Sequence, residues 1–348
     1  MGVKKLNKFI ENHDLIKKHK NILDFIRDCK DEDFQCFNTR NRKFVIAVDV
    51  MLYAYKYKYS YGDIIFGFTK QIINFLNNKI IPVYIFDGMP PEEKQYTINK
   101  RKKKRLQMKK KIETLELELK NNSHSNEKVY EINTKINKLN KCCVKIEIDD
   151  IKKMVMLFKV FNVPYMKAIG EADVLIANLY KSNSINACLS EDMDIIVYGC
   201  DKMIKICNRQ IYEYDINYIL KNLKITKSQF IDMCILFGCD YIRPISNKSP
   251  KQIFDEIKEK NIIDIISENC NKEQKTNYIS SYNKIKKLYL NNIHTNKFIN
   301  FKITNSIDLN ELINFLKNKS TKFNKNYIKK IKYNLVYINN MIKNNKFY

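Results

Sequence analysis

Two continuous apolar runs, FVIAVD (residues 44–49) and IIPVYIFD (80–87), both close on an aspartate. Runs that are apolar at every position predict strands buried on both faces, the kind found in parallel sheets. Between them, DIIFGFTKQIINFLNN (63–78) carries Ile64, Ile65, Phe68, Ile72, Phe75 and Leu76 at helical spacing. Strand, helix, strand is a βαβ unit, so the chain is of the α/β class. In such sheets ligands sit beyond the carboxyl ends of the strands. Asp49 and Asp87 are therefore expected at one crevice.

Further along, residues 92–143 turn polar and lysine-rich, broken by NNSHSN (121–126). They read as two helices around a turn, with too little apolar surface for a core of their own, projecting as an insertion. The globular pattern returns at DDIKKMVMLFKVF (149–161). A helix is expected from Gly170-Glu171 through ADVLIANLYKS, a strand at INACLS (185–190) and a hairpin over 202–215. Thr226 with Gln229 makes a capping-box pattern ahead of FIDMCILFG (230–238). The last 50 or so residues, rich in Lys and Asn, show helical spacing at Ile328, Ile331, Leu335, Ile338 and Ile342.

With 348 residues the chain can bury a sizeable core. No apolar stretch reaches the roughly 20 residues a membrane helix needs, the N-terminus has no signal-peptide apolar region, and Leu6 replaces the Ser or Thr of a myristoylation signal. The ten cysteines are scattered without a C-x-x-C pair and there are four histidines, which argues for a reducing, intracellular setting and against structural zinc. A formal charge of +25 calls for a polyanionic partner.

Against that charge stand acids in matching positions. Asp49 and Asp87 end strands, Glu171 and Asp173 open a helix, Asp192 and Asp194 follow a strand in SEDMDIIVYG (190–199), and Asp240 follows a helix in FGCDY. Each alone has an ordinary explanation as a helix cap or turn residue. Gathered together, carboxylates repel at low dielectric and persist only with a cation or bound protons. Oxygen-only ligands select Mg²⁺ or Mn²⁺, and two such ions about 4 Å apart are a standard device for phosphodiester hydrolysis. A basic surface around an acidic, metal-binding pit suits a nuclease.

The motifs MGVKKL, VIAVD, PVYIFDGMPP, VPYMKAIGEAD, SEDMDIIVYG and FIDMCILFGCDY, in this order over residues 1–241, resemble those of the flap endonuclease/XPG family of structure-specific 5′ nucleases. The Lys/Asn/Ile-rich chain looks most like the poxvirus-type branch. The resemblance implies a PIN-like core, a central, mostly parallel sheet flanked by helices (1–91 and 144–225), with a helical arch inserted at 92–143. A helix-turn-helix-like duplex-binding module (226–300) and a basic helical extension (301–348) would follow. It implies two Mg²⁺, replaceable by Mn²⁺, on Asp49, Asp87, Glu171, Asp173, Asp192, Asp194 and Asp240. Asp87, Glu171 and Asp173 would serve mainly one ion; Asp192 and Asp194, with Asp240 through water, the other. Glu191 is not among the ligands.

By the same resemblance, Lys94 and Arg101 would contact the scissile phosphate from the arch base. Two helical turns separate them, so both can point one way about 10.5 Å apart along the axis. Gly2 would lie near the active site and Tyr55 would stack on a base. YAYKYKYSY (53–61) holds five tyrosines, however, and Tyr53, Tyr57 and Tyr61 would share a different helix face from Tyr55. Asn247 and Ser249 replace glycines of the hairpin that binds a monovalent ion in the family, which weakens the case for that ion; Lys248 and Lys251 would hold phosphates. No clamp-binding box (Gln-x-x-aliphatic-x-x-aromatic-aromatic) stands at the end of the sequence. The expected partner is DNA with a 5′ flap, end or junction. The expected state is a monomer, located in host cytoplasm for a poxviral protein and otherwise in the nucleus. The alternatives are a non-catalytic DNA-binding scaffold and a 5′ exoribonuclease.

Overall fold

Seven strands pair into one sheet in the computed structural model, which describes residues 2–33, 43–121, 125–208, 210–245, 248–291, 297–344 and 347. They are β1 (Lys17–His19), β2 (Phe44–Asp49), β3 (Ile80–Phe86), β4 (Tyr165–Lys167), β5 (Ala187–Leu189), β6 (Lys202–Cys207) and β7 (Gln210–Asp215). Their order is β1-β7-β6-β5-β2-β3-β4. β6, β5, β2, β3 and β4 run parallel, while β7 and β1 extend the β6 edge antiparallel.

The two founding strands lie side by side at the centre, Phe44 opposite Ile80 and Asp49 opposite Ile85. Every residue of both is buried. That is why they are apolar throughout: helices cover both faces of the sheet, and alternation would put polar atoms into one core or the other. The crossover helix Ile64–Asn77 starts where Asp63 accepts a hydrogen bond from the Phe66 N–H at 3.0 Å. It packs Phe68 edge-on to Tyr84 of β3, and Phe158 of helix Ile148–Val160 stacks on Tyr84 at 4.1 Å. Each ring buried this way contributes on the order of 2 kcal/mol by area.

The insertion is a pair of helices, Gln95–Asn121 and Asn126–Cys142. Contrary to the expectation from its composition, it has a core. Ile112, Ile132 and Ile136 are buried together, flanked by Leu115, Leu119 and Leu139. Spacings of three and four residues put these side chains on one stripe per helix, and a narrow stripe is all that two helices need to pair.

The final helices, Leu309–Lys319 and Lys325–Lys343, are packed onto the core of the sheet. Leu312, Leu316, Leu335 and Ile338 belong to the same buried cluster as β2 and β3. Asn77 donates to Asn334 at 2.8 Å, and Ser320 hydrogen-bonds the capping Asp63. Between sheet and C-terminus lie helices Lys227–Phe237, Pro250–Glu259, Ile262–Asn269 and Lys272–Asn291. Thr226 and Gln229 form the expected capping box. Ser249, read above as a replaced hairpin glycine, also caps a helix, Pro250–Glu259, through Gln252. Asn247 lies outside the described residues.

Candidate metal and nucleic-acid site

The fold carries acids from five chain segments to the carboxyl edge of the parallel strands. Asp49 ends β2 and caps the next helix, accepting from the Leu52 N–H at 3.1 Å. Asp87 follows β3 and accepts from the Ala172 N–H at 2.9 Å, which ties the strand to the start of helix Ala172–Lys181. Glu171 and Asp173 stand at that start. After β5, Asp192 accepts from the Asp194 N–H at 3.1 Å, and Asp194 opens the short helix Asp194–Tyr198. Asp240 follows the reversal at Gly238, whose φ of +84° suits glycine. Asp87 is exposed; the other six are buried, Asp194 to 1%.

Burial and mutual repulsion raise the proton affinity of four of these acids. Asp49 is pushed up to about 8 by desolvation and by Asp87 beside it. Burial, then Asp192 and Asp49, drives Asp173 well above the carboxylate range, and burial with Asp192 and Asp240 does the same to Asp194. Asp192 is raised by burial as well. Glu191 stays apart, paired with Lys56.

Lys94 and Arg101 both reach this cluster. Where the resemblance implies contact with a phosphate, the structure pairs them with carboxylates. Lys94 bonds Glu171 and lies 3.7 Å from Asp240; Arg101 donates to both Asp240 oxygens at 2.9 and 2.6 Å. Buried carboxylates gain most from charge-assisted bonds, so the nearest cations take them. Burial would lower the Lys94 pKa, but Glu171, Asp173 and Asp240 hold it above the ordinary lysine value.

Three tyrosines complete the setting. The Tyr289 hydroxyl, 2% exposed, donates to Asp194 at 3.1 Å. Tyr241 donates to Glu171, and its hydroxyl meets that of Tyr198 at 2.6 Å. Tyr241 stands in the FGCDY motif beside Asp240 and was available as a signal. Tyr289 is 95 residues from Asp194 and, with Tyr282 and Ile285, reads as ordinary helix core.

Gly2 lies against the second acid pair. Its φ is +71°, and a Cβ there would sit 2.0 Å from Asp192 Oδ1 and 2.8 Å from Asp194 Cγ. Gly2→Ala is therefore expected to displace both carboxylates and to lower the melting temperature by several degrees in a thermal melt, a loss of about 1–3 kcal/mol from backbone strain and close contact.

The remaining candidates lie elsewhere. Tyr55 is half-buried against the core, and the ring pairs Tyr53–Tyr57 and Tyr57–Tyr61 run along the other face of helix Val50–Tyr61, as the spacing predicts. Lys248 is paired with Glu256, whereas Lys251 is exposed. Among the described residues no three His, Cys, Asp or Glu side chains form a ready-made metal site. The donor set nonetheless fits hard divalent cations: every candidate ligand is a carboxylate, and four of them hold protons more tightly than a free carboxylate does. A divalent ion would relieve the same repulsion.

Comparison with known proteins places this site in context. The XPG N-terminal domain matches residues 1–108 and the XPG I-region residues 162–240, so all seven acids fall inside the matched segments. Flap endonuclease 1 of Enterocytozoon bieneusi is 31% identical over 228 residues, 64% of this chain and 60% of the relative. That of Danio rerio is 30% identical over 281 residues, 77% of this chain and 69% of the relative. The chain thus spans roughly two thirds or less of these relatives' length. The catalytic core of Rad2, solved in complex with DNA substrate, has the same fold, with a TM-score of 0.64 at 20% identity over 97% of this chain and 99% of that one. These relatives come from cellular organisms and give no support to the poxvirus-type branch. The chain belongs to the flap endonuclease/XPG family.

Proposed function

We propose that the protein is a divalent-metal-dependent, structure-specific DNA nuclease that hydrolyses phosphodiester bonds at 5′ flaps, ends or branched junctions. The observation that carries this reading is the meeting of seven carboxylates from five segments at one sheet edge, with the arch-base cations Lys94 and Arg101 upon them, in a chain of formal charge +25. It agrees with the name of the flap endonuclease relatives and with the DNA-bound state of the Rad2 core.

Asp87, Glu171 and Asp173 would hold one ion and Asp192, Asp194 and Asp240 the other, with Asp49 between strand and cluster. Bound Mg²⁺ or Mn²⁺ supplies Lewis-acid polarisation of the phosphate and lowers the pKa of the attacking water. The protein's own groups position these parts. Tyr289 orients Asp194 and Tyr241 orients Glu171. Lys94 and Arg101 exchange a carboxylate for the scissile phosphate and offset the negative charge that grows there. Water adds to phosphorus as one P–O ester bond breaks, leaving a phosphate on one product end and a hydroxyl, which takes up the proton, on the other. The duplex would lie along the helices after residue 226, where the exposed Lys251 would meet a phosphate. Such an activity serves DNA replication, repair or recombination inside the cell, and the chain would act as a monomer.

A cleavage panel tests this reading: 5′-flap, nicked, gapped and four-way DNA, and an RNA-flap control, each with Mg²⁺ or EDTA. Cutting confined to Mg²⁺ and to DNA junctions is expected. Binding without cutting would favour a scaffold, and faster cutting of RNA would favour an exoribonuclease.

A further inference from the structure

A second feature stands beside Asp240 on the side facing the arch. Tyr96, two residues after Lys94, projects from the arch base and is 54% exposed. The guanidinium of Arg243, three residues after Asp240, lies 5.0 Å from the Tyr96 ring centre and donates to its hydroxyl. The Arg243 carbonyl accepts from Tyr278 of helix Lys272–Asn291 at 3.2 Å. The pair thus links the arch to the helical module across an open cleft of about 790 Å³. Lys4, Lys100, Arg101 and Lys104 also line the cleft, and Asp240, already paired with Arg101, is the one acid among the described residues that line it.

Charge alone selects a polyanion here, and the lysines would serve any phosphate backbone equally. The Tyr96–Arg243 pair adds something a backbone does not use: a flat, exposed surface joined to a planar cation. Nucleobases stack on tyrosine rings and on guanidinium planes, whatever their sequence. A duplex keeps its base faces inside its own stack, so only unpaired nucleotides can present one. The platform also lies close to the carboxylates, within reach of a nucleotide neighbouring the one being cut. Neither residue was singled out in the sequence, because an isolated Tyr in a lysine-rich helix and an Arg after a motif carry no joint signal until the fold pairs them.

We propose that Tyr96 and Arg243 form a base-stacking platform that positions an unpaired nucleotide of the DNA substrate beside the acidic cluster. This deepens the nuclease reading and rests on it. Tyr96 and Arg243 are positioning residues.

The test measures binding in EDTA, where no cutting occurs, using a 5′-flap DNA with 2-aminopurine at the first unpaired nucleotides and a plain duplex of equal length. Wild-type protein should quench or shift the 2-aminopurine emission. Tyr96→Ala should remove that signal and weaken flap binding by about 5- to 100-fold, the range for one lost base stack, with duplex binding changed less than twofold. Tyr96→Phe should keep both signal and affinity. Arg243→Lys keeps the charge but not the plane, and should lose most of the signal. Flap affinity and emission unchanged in Tyr96→Ala would overturn the platform, as would an equal loss on flap and duplex. Because Tyr96 is more than half exposed, its removal should leave the thermal melt unchanged. Wild-type protein that binds no flap DNA would overturn both readings; wild-type protein that binds and cuts flaps beside an unaffected Tyr96→Ala would overturn the platform alone.

Discussion

Asp194→Asn is expected to abolish Mg²⁺-dependent cutting, by roughly 10³-fold or more, a loss of about 4 kcal/mol of transition-state stabilisation. Asparagine has the shape of aspartate and keeps an oxygen for the Tyr289 hydroxyl, so the local packing is retained. What disappears is the negative charge of the most deeply buried acid in the cluster. That charge is unfavourable to the fold by itself, since burial together with Asp192 and Asp240 opposes its ionisation. The variant should therefore melt no lower than the parent in EDTA while losing its chemistry. Single-turnover cleavage of a 5′ flap, DNA-binding anisotropy and thermal melts measure the three quantities. An Asp194→Asn variant that still cuts with Mg²⁺ at a tenth of the parent rate or faster would remove Asp194 from the proposed ligand set.

A second large effect concerns stability against pH. Asp49, Asp173, Asp192 and Asp194 all have folded-state pKa values raised above the unfolded value of 3.8, Asp49 to about 8. Between pH 3.8 and 8 the folded chain therefore binds more protons than the unfolded chain. With that sign, the free energy of unfolding falls as pH rises through the window, by at most about 1.4 kcal/mol per pH unit for each such group. Below 3.8 both states are protonated, so stability stops changing with pH and the contribution is fully present. In EDTA the melting temperature should thus fall between about pH 5 and about pH 8. Millimolar Mg²⁺ should raise it more at the upper pH than at the lower, because a bound cation replaces the protons and binds only the folded state. Differential scanning calorimetry at the two pH values decides the matter. An equal Mg²⁺ effect at both, or a melt that rises with pH in EDTA, would contradict it.

The strands that hold the site were legible because each is apolar along its whole length, and burial on both faces leaves few other ways to fold such a run. The short edge strands β1 and β4, three residues each, gave no periodicity to detect. In the arch, lysine density masked the isoleucine and leucine stripe, because composition averages over faces that a helix keeps apart. The acids were legible as a set through their shared position at the ends of elements. Their partners were not. That Lys94 would take Glu171 and Arg101 would take Asp240 depends on how the arch base leans on the sheet, and Tyr289 reaches Asp194 only after a distant helix has docked. Tyr53, Tyr57 and Tyr61 fell on one face as helical spacing requires, while the side of Tyr55 facing the core was decided by tertiary packing.

The separate isoleucine seam of the arch has a thermodynamic corollary. Among the described residues the buried side chains of its two helices form a cluster separate from that of the sheet, so the pair is expected to be a cooperative unit whose opening does not require the sheet to open. Amide protons along Gln95–Asn121 and Asn126–Cys142 should then exchange together, at a free energy well below that of β2 and β3. Such an arch would loosen as one lever while the carboxylates beneath it keep their places.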